Sequence, residues 1–282
     1  MKKAKVKIPA KINLNLDVIG TSGGYHEIYS LVCSVSVYDE IVARKREDGR
    51  ITLTEKGLSS ECEEKDNNAY KAAAAFIKEY NTTGADIIIV KNIPVGGGLG
   101  GSSADIAGTL IALKKLYGVN EDILPLANSL GSDSGYMTIG GAAVISGRGE
   151  KVERLEKIPT LYLILLTEKE KCTSKDSYRA YDELGVKRES TTYKSVKAIK
   201  ENDLKGFYSL LKNDLEAGSI KLVPQIKDNI KALNDSGAEV SLMTGSGSCV
   251  FGIYKDKKTR NTAYKKLYKS FGEKLIKAET IC

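Results

Sequence analysis

The stretch PVGGGLGGSSADIAG, residues 94–108, sets five glycines in the six positions 96–101 and follows them at once with two serines and a run of small and apolar residues. Before it stands ADIIIVKNIP, an apolar run of strand length. After it, SADIAGTLIALKKLYG spaces its apolar residues as a helix ending at Gly118. A strand, a glycine bend and a helix in direct succession leave little choice of local geometry. Glycine tolerates positive φ and lets a ligand approach the main chain, so consecutive N–H groups can turn toward one centre. The helix opening between Ser102 and Asp105 adds free N–H groups and the positive end of its dipole, and phosphate is the natural occupant.

Several phosphate loops share this layout. A Walker A loop needs Gly-Lys-Ser/Thr, and the sequence contains no Gly-Lys pair. The dinucleotide fingerprint G-x-G-x-x-G is formally met by Gly96, Gly98 and Gly101, yet it requires a second strand ending in an acid about twenty residues on. Glu121 has the distance, but 109–120 is helix and turn. A glycine hairpin without a ligand stays open, as does a kinase-type loop, Pro-x-x-x-G-L-G-S-S.

The 282 residues suit two domains, expected over 1–155 and 156–282. Residues 4–18 alternate, with Val6, Ile8, Ile12, Leu14, Leu16 and Val18 set against Lys7, Lys11, Asn13, Asn15 and Asp17; this predicts a half-buried strand or strand pair broken by Pro9. LVCSVSVYDEIVARKR continues the strand pattern to a basic turn at 44–50. NNAYKAAAAFIKEY predicts a helix capped by Asp66 or Asn67. LPLANSLG predicts a short helix, and SDSGYMTIGGAAVISGRGE a glycine-punctuated strand region. In the second part LYLILL predicts a core strand and 175–185 a helix. A polar lysine-rich stretch, helices over about 203–235, a strand in AEVSLMTGSGSCVFGIY and a final helix from about 257 follow. The fold class is α+β, with helices on one face of a small sheet in the second domain.

Composition narrows the setting. No apolar segment approaches the ~20 residues of a membrane span, and polar residues interrupt the basic start, so a cytoplasmic protein without a membrane partner is expected. Cysteines 33, 62, 172, 249 and 282 show no C-x-x-C spacing and read as reduced thiols; with His26 the sole histidine, no zinc set is available. The net charge of +7 suits work on anions, but the lysines are scattered, which argues against a nucleic-acid partner.

Three segments together carry a resemblance. The glycine bend resembles the second motif of the galactokinase, homoserine kinase, mevalonate kinase and phosphomevalonate kinase (GHMP) superfamily. PAKINLNLDVIG, residues 9–20, resembles its first motif and MTGSGSCVFGIY, residues 243–254, its third. GGYHEI, GRGE and NDLE resemble most those members that act on a cytidine-diphosphate-linked polyol. The resemblance implies a two-domain GHMP kinase fold, with a β-rich α/β domain, a C-terminal ferredoxin-like α/β sandwich and a cleft between them. It implies transfer of the γ-phosphoryl group of ATP, with Mg2+, to a hydroxyl of that small-molecule substrate in non-mevalonate isoprenoid synthesis, by a monomer or homodimer.

By the same resemblance Gly96, Gly97, Gly98, Gly100, Gly101, Ser102 and Ser103 cradle the triphosphate. Asn67 falls near the nucleotide, where a plain helix cap is an equal reading. LGSDSGYM puts Asp133 at the catalytic aspartate; its pattern alone reads as a turn residue. Lys11 stands at the catalytic lysine, although pattern alone does not separate it from Lys5 and Lys7. A lysine close to a carboxylate and to the reacting oxygen favours the ionised acid and the developing alkoxide. Asn13, on the face of Lys11, becomes a substrate contact. Tyr25 would stack on cytosine with His26 at its polar edge, and CTSKDSYRAYDEL makes Tyr178 the second wall and Ser174 a polar contact. Gly245 and Gly247 in TGSGSC bring backbone near the phosphates or the substrate, or else shape a β-turn.

The sequence also departs from the family pattern. Aligned without gaps, the family's G-L-G-G-G-S-S-D is GLGGSSAD here, so Ser102 replaces a glycine and Ala104 the second serine. One hydroxyl that would help hold Mg2+ is lost, with Ser102 or Ser103 left to substitute. Gly23 replaces an aspartate before Gly-Tyr-His, and Gly135 and Tyr136 replace Pro-Phe after the catalytic aspartate. These changes bear on the acceptor and leave Lys11 and Asp133 in place. A kinase for another small alcohol, a nucleotide-binding paralogue without turnover and an NAD(P)-dependent enzyme are the competing readings.

Overall fold

The computed structural model describes residues 2–60, 62–186 and 189–281. Two compact units are each gathered from separate stretches of chain: 1–10, 37–95 and 100–140 form the first, and 11–36, 96–99 and 141–282 the second. Strands β1 (Lys3–Ser22) and β2 (Tyr25–Lys45) give part of their length to each. They are joined at Gly23 and Gly24, both at positive φ, the conformation a tight two-residue hairpin requires.

β1 departs from expectation twice. It runs through Pro9 without a break: among the described strands β1 pairs with β2 alone, and a proline whose missing N–H faces an open edge removes no ladder bond. It is half-buried only at its start, where Lys7 is exposed and Val6 and Ile8 are buried; farther along, Lys11, Asn13, Asn15 and Asp17 of the polar face are only 5%, 3%, 0% and 1% exposed. Polar residues buried in a row must each find partners.

In the first unit β3 (Ile51–Gly57), α1 (Asn68–Tyr80), β4 (Ala85–Lys91), α2 (Gly101–Tyr117), α3 (Leu124–Leu130) and α4 (Ser134–Ile139) follow. Residues 40–45 of β2 pair antiparallel with β4, and β3 runs parallel to β4 on its other side. The alanine face of α1 lies on α2, and Ile41, Ile87, Ile89, Phe76, Leu110 and Leu113 fill the core. Each such side chain contributes roughly 1.5–3 kcal/mol by leaving water. Gly108 lets α2 settle onto β2, since a Cβ there would lie 2.6 Å from Ile41 Cγ1. The expected strand region from Ser132 opens instead with α4. Its Gly135 allows close approach to α3, a Cβ there lying 1.8 Å from Asn128 Oδ1, so this glycine serves helix packing.

The second unit continues with β5 (Ala142–Gly147), β6 (Lys151–Leu155), β7 (Tyr162–Leu166), α5 (Ser174–Leu184), α6 (Thr192–Lys200), α7 (Leu204–Leu210), α8 (Glu216–Leu222), α9 (Gln225–Asp235), β8 (Val240–Met243), β9 (Val250–Tyr254), α10 (Lys257–Phe271) and β10 (Leu275–Ile281). Here the first half of β2 pairs antiparallel with β5 and with β10; β10, β7, β9 and β8 then follow, each antiparallel to its neighbour. α9 and α10 pack on this sheet, while α5 packs on α8 and α6 on α7. The lysine-rich stretch contains α6, whose buried face mixes Thr192 and Ser195 with Val196, Ala198 and Ile199, so its apolar stripe is interrupted in sequence. β3 and β10 were not expected either: ITLTEKG and LIKAETI are short, with polar residues throughout. AEVSLMTGSGSCVFGIY is a pair of strands, β8 and β9, joined by the second glycine turn. Among the described residues no helix is long and apolar enough to cross a membrane.

Candidate active site

All three glycine- or lysine-bearing segments come together within the second unit. Leu99, closing the 96–99 bend, accepts a hydrogen bond at its carbonyl from the Lys11 amide at 3.0 Å. The Asn13 amide donates to Thr244 Oγ1 at 2.9 Å, which ties β1 to the turn between β8 and β9. That turn is closed by Gly247 N–H donating to the Thr244 carbonyl at 3.0 Å, and its Gly247–Ser248 peptide is cis. Gly96, Gly98, Gly245 and Gly247 all have positive φ. A Cβ on Gly98 would sit 2.2 Å from the Thr244 oxygen, and one on Gly245 2.9 Å from the Gly98 oxygen. Main chain therefore meets main chain here, and a side chain on either glycine would force the two turns apart. Gly245 and Gly247 thus shape a tight turn that lies directly against the glycine bend.

The buried face of β1 supplies the polar groups. Lys11 Nζ donates to Asn13 Oδ1 at 2.7 Å, and Asn13 Nδ2 donates to Ser30 Oγ at 2.8 Å. Ser30 in turn donates to the Asn15 carbonyl. The chain of donors fixes which end of the Asn13 amide faces the lysine. Farther along, Asp17 Oδ2 accepts from Ser190 Oγ and from the Thr191 and Thr192 amides, and Lys212 Nζ stands 2.9 Å from Oδ1. Burial alone would raise the Asp17 carboxyl, but the bonds from Ser190, Lys212 and Thr192 outweigh it and hold it below the usual carboxylate range.

Beneath the second glycine turn, Asn213 Nδ2 donates to the carbonyls of Met243 at 2.9 Å and Gly245 at 2.8 Å, while its Oδ1 accepts from the Leu215 amide. Ser177 and Ser219 donate to the Ser246 carbonyl, and Ser174 Oγ lies 3.4 Å from Ser246 Oγ. Ser174 thus stands beside this turn. Burial pushes the Cys249 thiol, at the turn's end, up to about 12.

At the far end of the hairpin the His26 ring stacks on Tyr178, with centroids 4.5 Å apart and planes 15° from parallel. His26 Nε2 lies 2.8 Å from Asp182 Oδ1. Tyr25 is 55% exposed, and the Arg148 guanidinium covers its ring at 3.8 Å. The ring that meets Tyr178 is therefore His26, with Tyr25 facing Arg148. Sequence reasoning passed over Asp182 and Arg148. Asp182 lies one helical turn beyond Tyr178 on α5, so i,i+4 spacing on the helix could have marked it.

The first unit holds the remaining candidates. Gly100, at φ 76°, is the N-cap of α2, and Gly101, Ser102 and Ser103 form its first turn. Asp133 is the N-cap of α4, its carbonyl accepting from the Met137 amide at 3.0 Å. Asn67 caps α1: its Oδ1 accepts from the Ala69 amide, and its Nδ2 donates to Glu55 and Ser60, so the side chain is fully engaged within the fold. An ion cluster escaped notice altogether. Lys91 Nζ lies 3.1 Å from Asp39 Oδ2 and 2.6 Å from Asp105 Oδ2, all three nearly sealed from solvent. Burial would lower the Lys91 ammonium, but the charges of Asp105 and Asp39 prevail and raise it. Burial lifts the Asp105 carboxyl to about 7, with Lys91 opposing and Asp39 and Glu55 adding. Both directions follow from one ammonium held between two buried carboxylates. Cys33, Cys62, Cys172 and Cys249 are reduced thiols that form no disulfide among the described residues, and Cys282 lies outside them.

Comparison with known proteins shows what the chain is similar to. Residues 67–148 match the family model for the GHMP kinases N terminal domain, and 195–274 that for GHMP kinases C terminal. The chain is 36% identical over 273 residues to the 4-diphosphocytidyl-2-C-methyl-D-erythritol kinase of Caldanaerobacter subterraneus subsp. tengcongensis, covering 93% of this chain and 92% of the relative. It is 35% identical over 254 residues to the kinase of the same name from Deinococcus radiodurans, covering 88% and 83%. A crystal structure of 4-(cytidine 5'-diphospho)-2C-methyl-D-erythritol kinase superposes with TM-score 0.83 at 28% identity over 98% of both chains. A homoserine kinase from Cytophaga hutchinsonii shares the fold, with TM-score 0.75 at 19% identity over 100% of this chain and 95% of the other.

Proposed function

The chain belongs to the GHMP kinase family, and from that premise we propose that it transfers the γ-phosphoryl group of ATP to a hydroxyl of 4-diphosphocytidyl-2-C-methyl-D-erythritol in non-mevalonate isoprenoid synthesis. The observation that supports this reading most directly is the meeting of Lys11, Asn13, the bend at Gly98 and the turn at Thr244. In functional terms residues 1–155 carry the ATP loop and the catalytic residues, and 156–282 the larger share of substrate contacts. The reduced thiols of Cys33, Cys62, Cys172 and Cys249 fit work in the cytoplasm, and the reading is of a monomer or homodimer.

In the transfer, the acceptor hydroxyl oxygen forms a bond to the γ-phosphorus and the bond from phosphorus to the β–γ bridging oxygen breaks. The hydroxyl proton passes to the Asp133 carboxylate, and ADP leaves. The Lys11 ammonium, aimed by Asn13, which Ser30 orients in turn, favours the developing alkoxide. Amides of Gly96–Gly101 and the first turn of α2 hold the triphosphate. Tyr25, His26 and Tyr178 offer ring faces and a ring nitrogen to the cytosine.

Mg2+, when bound, neutralises charge on the phosphates. Among the described residues no group of three or more His, Cys, Asp or Glu side chains is gathered to hold a metal. The donors that remain, the hydroxyls of Ser102 or Ser103, suit an ion that arrives on phosphate oxygens and keeps several waters.

The test is an ADP-release assay over a panel of alcohols: the cytidine-diphosphate polyol, its uridine analogue, the free polyol, homoserine and mevalonate. Turnover with the cytidine compound above all others is expected. Turnover with homoserine or mevalonate alone would replace the acceptor, and ATP binding without ADP release on any alcohol would replace the kinase reading.

A further inference from the structure

Three charged side chains lie sealed inside the first unit, and none belongs to the residues just assigned to catalysis or binding. Lys91, Asp39 and Asp105 are 2%, 0% and 3% exposed. Stability alone is a weak account of them, because replacing a buried ion cluster with apolar residues of similar volume is often neutral or stabilising. Their bonds point elsewhere. Asp39 Oδ1 accepts from two successive amides, Asn92 at 2.6 Å and Ile93 at 2.8 Å, immediately ahead of Pro94 and the glycine bend. Its Oδ2 holds Lys91, the last residue of β4, and Lys91 passes the connection to Asp105 in the second turn of α2. One continuous chain of charge-assisted bonds thus joins the backbone entering the bend to the helix leaving it.

The geometry points to Asp39, Lys91 and Asp105 as a positioning clamp: by tying residues 92–93 to α2, the triad fixes the separation of the two flanks of the glycine bend and so holds its amides in the arrangement that grips ATP. The inference rests on reading 96–103 as the triphosphate cradle. A bend of five glycines has little stiffness of its own, so its conformation depends on how its ends are held. Apolar packing meets the helix at Gly101, whose Cβ position lies 3.3 Å from Ile93 Cγ2, and at Gly108, which lies on Ile41, but such contacts lack the directionality of a charge-assisted bond. Asp105 Oδ1, moreover, has no hydrogen-bond partner among the described residues. A carboxylate kept buried at that cost, where an apolar side chain would fit the core, is what a positional requirement predicts.

The experiment uses the full chain and two variants. Asp105→Asn keeps the shape and an acceptor for Lys91 while removing the charge. The pair Lys91→Met with Asp105→Leu removes one charge of each sign, leaves Asp39 on its two amides, and guards against a folding failure in the first variant. ATP affinity is read by calorimetry, kcat and KM by ADP release, and Tm by thermal melting at pH 8. The clamp predicts that kcat/KM for ATP falls by roughly 10- to 100-fold, as for other small misplacements of a binding frame, and that ATP affinity weakens in parallel. The KM for the polyol and the Tm should hold or the Tm rise. An ATP affinity equal to that of the wild type in a folded variant would overturn the clamp, as would a Tm that falls along with ATP and polyol parameters alike. A wild type that binds ATP but releases no ADP with the polyol would count against the proposed reaction and leave the comparison of affinities intact.

Discussion

Gly98 and Thr244 are in backbone contact: a Cβ on the glycine would lie 2.2 Å from the threonine oxygen, and its φ of 74° belongs to the left-handed region. Two penalties therefore coincide at one position. Gly98→Ala should cost the left-handed strain of about 1–2 kcal/mol and, in addition, push apart the two turns, one of which meets the Lys11 amide at Leu99 and the other the Asn13 amide at Thr244. Gly118→Ala is the control. Its φ is 71° but nothing lies within 4 Å of its Cβ position, so it bears the strain alone. Both variants should melt at lower temperature. Only Gly98→Ala should lose kcat/KM for ATP by more than about tenfold, roughly 1.4 kcal/mol. Equal kinetics in the two would show that the close approach has no bearing on nucleotide binding.

Asp133→Asn should lower kcat by about 10²–10⁴-fold, the range for a positioned general base, with the KM for ATP little changed. Lys11→Met should lower kcat as well. Asn13→Ala, which frees the lysine from its 2.7 Å partner, should give a smaller loss of the same kind. Steady-state ADP release decides the matter. An Asp133→Asn enzyme as fast as wild type would remove Asp133 from the mechanism.

Two buried carboxylates give stability opposite slopes with pH. Burial, helped by Asp39 and Glu55 and opposed by Lys91, raises Asp105 from 3.8 to about 7, so between those values the folded protein binds the proton more tightly than the unfolded chain does. Stability from this group is full below about pH 4 and falls as pH rises toward 7. Asp17 is held below 3.8, so its contribution is present above that value and fades as pH drops through the folded pKa. Denaturant midpoints of wild type and Asp105→Asn should therefore diverge in favour of the variant from pH 4 to 7, by a few kcal/mol at most. Parallel curves across that range would show that Asp105 is ionised throughout.

The two ends of the site were unequally legible in the sequence. The glycine bend and the helix after it were plain, because glycines demanding positive φ and a helical apolar period are local properties. The alternation of β1 was equally plain, yet it read Lys11, Asn13 and Asp17 as a solvated face. What buries them is chain from elsewhere: Thr244 meets the Asn13 amide, and Ser190–Thr192 and Lys212 meet Asp17. Asn213 shows the same limit. NDLE served only as a family marker, although its asparagine holds two carbonyls of the second glycine turn. The ion triad was invisible for a further reason: Asp39 interrupts a strand-like run and Lys91 ends one, places where a charge signals solvent, and only the fold turns them inward.

A carboxylate only accepts, so the 2.8 Å contact of Asp182 with His26 Nε2 favours the tautomer that carries its proton there, with Nδ1 as the acceptor nitrogen. An acceptor there suits the exocyclic amino group of cytosine and opposes the carbonyl that uracil presents in the same place. The Asp182 side chain is 56% exposed, so the pair adds only about 0–1 kcal/mol to stability. Asp182→Ala should therefore leave Tm and the KM for ATP nearly unchanged while raising the KM for the cytidine substrate and narrowing the preference for cytidine over uridine compounds by about tenfold. Asp182→Asn, whose amide oxygen also accepts, should retain most of the preference. If the alanine variant discriminated between the two bases as wild type does, the orientation of His26 would have no part in recognising the base.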